Sequence, residues 1–388
     1  MNLTKSRKPT TKLRIKSIET YLVEQRLTRP FTFSQWAYTN RTICLVKITA
    51  DDGSQGWGEG YGPASVVRAG IEFLKPLILG RDPLTVSALW QMMYLRTLDY
   101  ARSGVLAAAI SAVDVALWDL KGKLLGQPVH VLLGGKRRNA VRVYATGMYF
   151  TDDGKMEVRL ANEAMEYVAQ GFRAMKMKAG YTPEQDAKNV RSVRSAIGPD
   201  IALMIDANHA YNRSEARRLC RVVEPLGIGW FEEPLSPEDY VGHAELRQQT
   251  DIPIAGGECE YLEHGFKRLL DAQSVDIVQP DICAAGGLTE LQRIIALVRA
   301  HNVDLTPHCW GTGIAFAAGV HLVSTLDAMP GRLIGTEPLL EMDRTENPLR
   351  DRLTYPRFEV KEGSVAVPDL PGLGIEVDEG LLEQFVVR

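Results

Sequence analysis

Six charged or polar residues recur through the second half of the chain at a nearly even interval. They are Lys178, Asp206, Glu232, Glu258, Asp281 and His308. Their separations lie between 23 residues, from Glu258 to Asp281, and 28 residues, from Lys178 to Asp206. Such a step fits a strand, a helix and two short loops, the unit of a parallel β/α barrel whose active site lies at the carboxyl ends of the strands. The spacing therefore predicts that these side chains meet at one barrel mouth.

Three of these residues are carboxylates at the ends of consecutive predicted strands. Asp206, Glu232 and Glu258 would repel one another, and raise one another's pKa, unless a cation balanced their charge. Oxygen ligands favour a hard ion, with Mg²⁺ as the first candidate and Mn²⁺ as the second. The alternative is that these acids cap helices or form salt bridges at the barrel rim. Three acids at matched strand ends make this alternative less favoured.

Two lysines lie two residues apart on one predicted strand, so both side chains point to the same face. A barrel strand has no solvated face, and two inward lysines therefore fit only near the open end. A neighbouring ammonium group and a divalent cation would lower the pKa of Lys178, which makes it a candidate general base. Lys176 is expected nearer the metal-bound oxygens. The alternative is a pair of surface lysines.

Asp281 and His308 end adjacent predicted strands. A carboxylate bonded to one imidazole nitrogen fixes the tautomer and leaves the other nitrogen free to move a proton. A divalent ion with a base on each side would stabilise the dianion that forms when a proton α to a carboxylate is removed. Glu341, if kept protonated, could donate a hydrogen bond opposite the metal, and Glu337 competes for that role.

The elements that must position these residues follow from apolar patterning. A chain of 388 residues favours two domains. Its first part predicts a short β-meander followed by helices at about 64–80, 84–98 and 103–125. Strands and helices then alternate, with predicted strands at 141–146, 174–178, 202–206, 229–232, 254–257, 276–279, 304–307 and near 333–334.

Composition excludes several classes of protein. The net charge of −3, without a concentrated basic face, argues against nucleic-acid binding. The longest apolar segment, 104–118, contains Ser111 and Asp114 and is too short to span a bilayer. Five cysteines without a Cys-x-x-Cys pattern favour a reduced cytoplasmic protein. The basic start lacks an apolar stretch, and we interpret residues 1–13 as a flexible tail.

Together these motifs resemble the mandelate racemase/muconate lactonizing enzyme group of the enolase superfamily. Segments 109–123 and 128–134 resemble its N-terminal signature, and Lys176-Met-Lys178 resembles its paired lysines. The segments 206–208 and 232–234 resemble its metal site, and Asp281 with His308 its dyad. Segments 206–211, 307–313 and 341–350 are closest to galactarolactone cycloisomerases and acid-sugar dehydratases.

The resemblance implies an α/β protein, with an N-terminal α+β capping domain at 14–135 and a modified (β/α)₇β TIM-type barrel at 136–335. A C-terminal segment, 336–388, is expected to return to the capping domain. The implied activity is Mg²⁺-dependent removal of the proton α to a carboxylate of a sugar acid or lactone, as a lyase or isomerase. The small-molecule substrate is expected to contact Asn208, His209, Trp36 and Tyr38, and relatives suggest a homo-oligomer, a dimer or an octamer.

Other functions remain open at this stage. Dehydration, lactone cycloisomerisation and racemisation or epimerisation of a hydroxy acid or amino acid derivative share the first step. A Schiff-base aldolase would use an inward lysine but leaves the three acids unexplained. A non-catalytic metal-binding relative predicts a damaged site, yet each expected polar position is filled. Gly311-Thr-Gly313 lacks the third glycine of a dinucleotide fingerprint.

Overall fold

The computed structural model describes residues 13–152, 154–328, 333 and 335–387. A three-stranded antiparallel sheet and four helices form the capping region: β1 (Ile15–Thr32), β2 (Ala37–Ala50), β3 (Gln55–Gly60), α1 (Ala64–Ile78), α2 (Val86–Thr97), α3 (Val105–Leu125) and α4 (Val129–Leu132). The predicted helices are confirmed. The predicted tail, apart from residue 13, lies outside the described residues.

Eight parallel strands follow, and seven of them are each followed by a helix. The strands are β4 (Ala140–Gly147), β5 (Ala174–Lys178), β6 (Ala202–Asp206), β7 (Ile228–Glu232), β8 (Ile254–Gly256), β9 (Ile277–Val278), β10 (Asp304–Leu305) and β11 (Leu339–Asp343). The helices are α5 (Met156–Ala169), α6 (Pro183–Ile197), α7 (Arg213–Val223), α8 (Tyr240–Arg247), α9 (Leu262–Asp271), α10 (Gly287–Ala300) and α11 (Gly313–Thr325). The hydrogen-bonded order runs β10-β9-β8-β7-β6-β5-β4-β11. This confirms the predicted (β/α)₇β arrangement.

The eighth strand lies further along the chain than we predicted. Leu333 is fully exposed and lies in a bend, and position 334 lies outside the described residues. The strand that pairs with β4 is instead β11, in which Glu341 lies opposite Tyr144. The prediction near 333–334 is therefore wrong, and the barrel continues beyond the expected boundary at 335. Two apolar residues resembled a strand, but the strand begins at Leu339 and is continuously buried from Leu340 to Asp343.

The capping strands are longer than the sequence suggested. The sequence has β-rich runs at 14–23 and 41–50. In the structure, β1 continues beyond Val23 and β2 begins before Arg41, so that Phe31 pairs with Tyr38. Pro30 lies within β1, although proline cannot donate to a ladder. It stands where the register shifts between Arg26 and Phe31, so the missing donor interrupts no regular pairing. The extra length carries aromatic residues toward the barrel mouth.

Helix α3 joins the two regions. Its long buried surface packs on β3, where a Cβ at Gly58 would lie 2.1 Å from the carbonyl oxygen of Ala112. Glycine is therefore required for this close approach. On the barrel side, Asp114 accepts hydrogen bonds from the backbone and hydroxyl of Thr289 in α10, at 2.9 and 2.5 Å. The Trp118 indole also donates to that hydroxyl, at 2.9 Å.

The C-terminal segment contacts both regions. Its elements are α12 (Pro348–Arg352), β12 (Thr354–Tyr355), β13 (Ser364–Ala366), β14 (Glu376–Val377) and α13 (Glu379–Phe385). Strand β13 adds to β4, whereas Val386 forms a bridge with Val23 of the capping sheet. Within the described residues, no helix is both long enough and apolar enough to cross a membrane.

Candidate active site

Parallel pairing brings most of the predicted residues to one end of the barrel. Lys178 lies opposite Asp206, and Asp206 lies opposite Glu232, at the ends of β5, β6 and β7. Beyond β9 and β10, Asp281 and His308 form an isolated parallel bridge. In-register parallel strands end at the same edge, so residues that are distant in the sequence become neighbours.

The two lysines lie inside the barrel among the acids. The ammonium of Lys176 contacts Glu232, lies 3.0 Å from Glu341 Oε1 and lies 3.5 Å from Asp206 Oδ2. Lys178 Nζ donates to Asp206 Oδ2 at 2.5 Å and to Asn208 Oδ1 at 2.7 Å. Both lysines are buried. Burial of these ammonium groups is tolerable because each is paired with carboxylates.

The pKa of Lys178 depends on its burial, on Lys176 and on the acids that it contacts. Burial has the largest single effect and lowers the pKa of this lysine, but the charge and hydrogen bond of Asp206 together with the charge of Glu258 raise it above the ordinary value. Lys176 opposes the increase, as the sequence suggested. The prediction overlooked that Asp206, a proposed metal ligand, also contacts the lysine directly. The same two lysines lower the pKa of Asp206, against the effect of its burial.

Glu232 is held by two neutral donors as well as by Lys176. Its Oε2 accepts from Trp230 Nε1 at 3.0 Å and from Gln279 Nε2 at 2.5 Å. Burial raises the pKa of Glu232 to about 7, and Asp206 and Glu341 add to this against Lys176. A buried carboxylate with that tendency to bind a proton is stabilised as an anion by a nearby cation.

The donor set fits a hard divalent ion by its chemistry. Asp206, Glu232 and Glu258 offer only carboxylate oxygens, and the first two are fully buried. Among the residues that the structure describes, however, their ligand atoms do not gather within 4.8 Å of one another. The two lysines lie among these carboxylates and balance their charge. Glu258, with a side chain 11 % exposed, lies nearer the dyad.

The dyad is formed as predicted. His308 Nδ1 lies 2.6 Å from Asp281 Oδ2, and Asp281 Oδ1 accepts from the backbone of Cys283 at 2.6 Å. His308 Nε2 faces Glu258 Oε2 at 3.5 Å and Glu341 Oε2 at 3.8 Å. Burial lowers the pKa of His308, but Glu258, Glu341 and Asp281 raise it to about 10. The imidazole is therefore oriented and charged.

Glu341 reaches the mouth of the barrel. It accepts from the Thr146 hydroxyl at 2.5 Å and from the backbone of Cys309 at 3.0 Å. Burial raises the pKa of Glu341, but Lys176 and His308 outweigh burial and lower it to about 2. An ionised carboxylate cannot donate a hydrogen bond, so a donor role for Glu341 requires a bound proton and stays a prediction. Glu337 is exposed and belongs to a different face.

An aromatic lid from the hairpin of β1 and β2 covers the mouth. We define the lid as Phe31, Phe33, Trp36 and Tyr38. Phe33 stacks on Tyr38 with ring centroids 5.7 Å apart and contacts Trp36 at 4.9 Å. The lid is fastened to the barrel where Ser34 Oγ and Gln35 Nε2 donate to the carbonyl of Asn208, at 2.8 and 3.1 Å.

A cavity of about 110 Å³ lies between lid and barrel. It is lined by Phe33, Gln35, Trp36, Tyr38, Tyr61, Tyr149, Lys178, Asn208, His209, Glu258, Cys259, His308, Trp310 and Glu341. The structure thus brings every predicted substrate contact to this cavity. Sequence reasoning did not identify Phe33, Gln35, Tyr61, Tyr149 and Trp310. Tyr149 and Trp310 carried a usable signal, since each follows a predicted barrel strand by a few residues.

Comparisons with known proteins agree with this geometry. Residues 17–134 match the mandelate racemase / muconate lactonizing enzyme N-terminal domain, and residues 159–381 match the enolase C-terminal domain-like family. The chain is 40% identical over 373 residues to D-galactarolactone cycloisomerase of Agrobacterium fabrum, covering 96% of this chain and 99% of that protein.

Two solved structures extend the comparison. The 3,6-anhydro-D-galactonate cycloisomerase of Zobellia galactanivorans has 53% identity and a TM-score of 0.88, covering 97% of this chain and 100% of that one. L-Talarate dehydratase of Polaromonas sp. JS666, complexed with Mg and L-glucarate, has 30% identity and a TM-score of 0.85, covering 97% and 98%.

Proposed function

The chain belongs to the mandelate racemase / muconate lactonizing enzyme family of the enolase superfamily, and from that membership we propose that it is a lyase or isomerase of sugar acids. It removes the proton α to the substrate carboxylate, and a β-oxygen then leaves. The observation that carries this proposal is the placement of two proton-moving groups, Lys178 and the Asp281–His308 dyad, on strands separated by β6 to β8.

Asp206, Glu232 and Glu258 are the proposed ligands of Mg²⁺, with Mn²⁺ as a second candidate. When bound, this ion supplies positive charge to the carboxylate oxygens on which the enolate develops. Lys176 lies against the same acids and Glu341, where it would support negative charge from inside the barrel. In the described residues that line the cavity, Lys178 is the only lysine or arginine.

We assign Lys178 as base and His308 as acid. His308 Nδ1 lies 2.6 Å from Asp281 Oδ2, which leaves Nε2 to pass a proton to a leaving oxygen. Glu258, the first of the charges that raise the pKa of His308, is itself a proposed metal ligand, so the acid role rests on this geometry. The charges that raise the pKa of Lys178 belong to Asp206 and Glu258, both proposed metal ligands. Asn208 accepts from Lys178 at 2.7 Å and orients its amine toward the cavity.

Within this chemistry, we favour the cycloisomerase branch with a 3,6-anhydro sugar acid. Lys178 takes the C2 proton, the C3–O bond breaks, and the ring oxygen takes a proton from His308 to become the C6 hydroxyl. The remaining enol becomes a 2-keto-3-deoxy acid. No atom is lost, so the same elimination that dehydrates an open sugar acid isomerises an anhydro ring.

The lid supports a ring-shaped substrate with one carboxylate. Aromatic side chains form much of the cavity wall, and flat rings pack well against the apolar face of a cyclic sugar. Recognition of a second carboxylate would favour a charged or bidentate partner such as arginine, and the described residues that line the cavity include no arginine. This contrasts with the Polaromonas relative, whose ligand L-glucarate carries two carboxylates. Epimerisation stays an alternative, because it shares the first step.

Proton NMR in D₂O tests the proposal, with aldonic, aldaric and 3,6-anhydro acids and their lactones as substrates. With Mg²⁺, we expect the anhydro acid to lose its C2 proton signal and yield a keto acid, and EDTA should stop this. Exchange without ring opening would indicate epimerisation. Absence of exchange on all sugar acids, or exchange that survives EDTA, would contradict the proposal.

A further inference from the structure

A second set of potential metal ligands lies beside the proposed catalytic site. In the part of the chain that the structure describes, the ligand atoms of His209, Glu233 and Cys259 lie within 4.8 Å of one another. This set offers one nitrogen, one oxygen and one sulfur atom. It shares no residue with Asp206, Glu232 and Glu258, although two of its members directly follow two of those acids in the sequence.

The separations suit one small ion. His209 Nε2 lies 3.1 Å from Glu233 Oε2 and 3.5 Å from Cys259 Sγ. A tetrahedral Zn²⁺ with bonds of about 2.0–2.3 Å places its ligand atoms about 3.3–3.8 Å apart. The two separations from His209 Nε2 are therefore within a few tenths of an ångström of this range, and the Glu233 and Cys259 ligand atoms lie within 4.8 Å of each other. Solvent or substrate would fill the fourth position.

The surroundings match those of metal-binding histidines. His209 Nδ1 lies 3.4 Å from the carbonyl of Leu235, which leaves Nε2 to face the other two ligands. Such a hydrogen bond to backbone fixes the tautomer of a ligating imidazole. His209 and Glu233 both have positive φ, 65° and 42°, conformations that non-glycine residues seldom adopt. The backbone thus aims these two side chains at each other at some local cost.

We propose that His209, Glu233 and Cys259 form a second metal site that binds a borderline divalent ion such as Zn²⁺ and inhibits the enzyme. Nitrogen and sulfur ligands select Zn²⁺ over Mg²⁺, whereas the three carboxylates have the opposite preference. As the Cys259 sulfur binds the ion, its thiol proton passes to solvent.

Inhibition follows from the position of the site. His209 and Cys259 line the cavity, and Glu233 Oε2 lies 3.5 Å from Asn208 Nδ2. The other end of the Asn208 amide accepts from Lys178, the proposed base. An ion held by Glu233 would therefore occupy space at the cavity wall and disturb the residue that orients Lys178.

Co²⁺ and Zn²⁺ are the probes for this site, used on the whole protein with Mg²⁺ in large excess. We expect Co²⁺ to produce a thiolate charge-transfer absorption band, since the carboxylate site contains no sulfur. Cys259→Ser should abolish the band and weaken Zn²⁺ binding in equilibrium dialysis by at least about tenfold. Cys220→Ser, which removes a buried thiol from α7, is the matched control and should behave as wild type.

His209→Gln is a second variant, which keeps the thiol and should also weaken Zn²⁺ binding. A band that survives Cys259→Ser, or equal Zn²⁺ affinity of wild type and both variants, would overturn the site. Zn²⁺ inhibition that added Mg²⁺ fully reverses would overturn its inhibitory role. The dialysis and absorption measurements need no substrate, so they decide the site even if the proposed sugar-acid activity proves wrong.

Discussion

Charged side chains at the barrel mouth contact one another through ion pairs, whereas the lid residues above them contact one another through aromatic rings, one pair stacked and the others tilted or edge-on. Lys176 is buried and lies against three carboxylates, while Trp36 of the lid is 56% exposed. The mouth is positioned by strand register, and the lid by a hairpin whose register shifts between Arg26 and Phe31. The comparison suggests that the barrel determines the reaction and the lid determines which substrate undergoes it.

The largest expected effect is at the mouth, from Lys178→Ala. Loss of a positioned general base should lower kcat by roughly 10²–10⁴-fold, and C2 proton exchange should fall with it. Steady-state kinetics and NMR exchange measure both. Lys188→Ala, which removes an exposed lysine from α6, is the matched control. Wild-type turnover by Lys178→Ala would contradict both the base role of Lys178 and the hypothesis that the barrel mouth determines the reaction.

A smaller effect on activity is expected from Gln279→Ala, which removes a residue that contacts the proposed metal ligand Glu232. The Gln279 side chain donates to Glu232 at 2.5 Å and is not among the residues that line the cavity between lid and barrel, so it should orient a metal ligand without contacting substrate. Mg²⁺ affinity should fall by roughly 10–100-fold, with kcat largely restored at saturating Mg²⁺. Titration of activity against Mg²⁺ distinguishes this from a loss of folding, and exposed Gln292→Ala is the control. A fall in kcat that Mg²⁺ cannot restore would contradict the assignment.

The lid variant Trp36→Ala should have a milder and different signature. It removes the ring that contacts Phe33 edge-on, and we expect KM for a cyclic acid to rise about tenfold, equivalent to about 1.4 kcal/mol. Because the proton-moving groups are untouched, kcat should change little. Trp36→Phe should recover most of the affinity. If kcat fell while KM stayed constant, the lid would contribute to the reaction itself.

The two regions also differ in how far the sequence predicted them. Strand-end residues such as Asp206 and Glu232 could be assigned because the β/α unit repeats and parallel register carries each residue to the same edge. Phe33 could not, because its position over the mouth depends on a hairpin whose register shifts between Arg26 and Phe31. The charge state of Glu341 was also beyond the sequence, since it depends on Lys176 and His308 across the barrel.

Asp114 lies in α3, where the capping region packs on α10 of the barrel. Of these variants, Asp114→Asn is expected to have the smallest effect on turnover, and it should change stability instead. Burial raises the pKa of Asp114 to about 7, against an ordinary value of about 3.9. Between about pH 4 and 7 the folded protein therefore holds a proton that the unfolded chain has released, so stability falls as pH rises through this window. Asparagine has no such proton, although it satisfies the two bonds from Thr289 less well.

Melting temperatures measured at pH 5 and pH 8 test this. The melting temperature of Asp114→Asn should rise relative to that of wild type as pH rises, whereas exposed Asp200→Asn should keep the wild-type dependence on pH. Parallel pH profiles for wild type and Asp114→Asn would contradict this, whereas a large fall in kcat would show that the junction also positions the mouth.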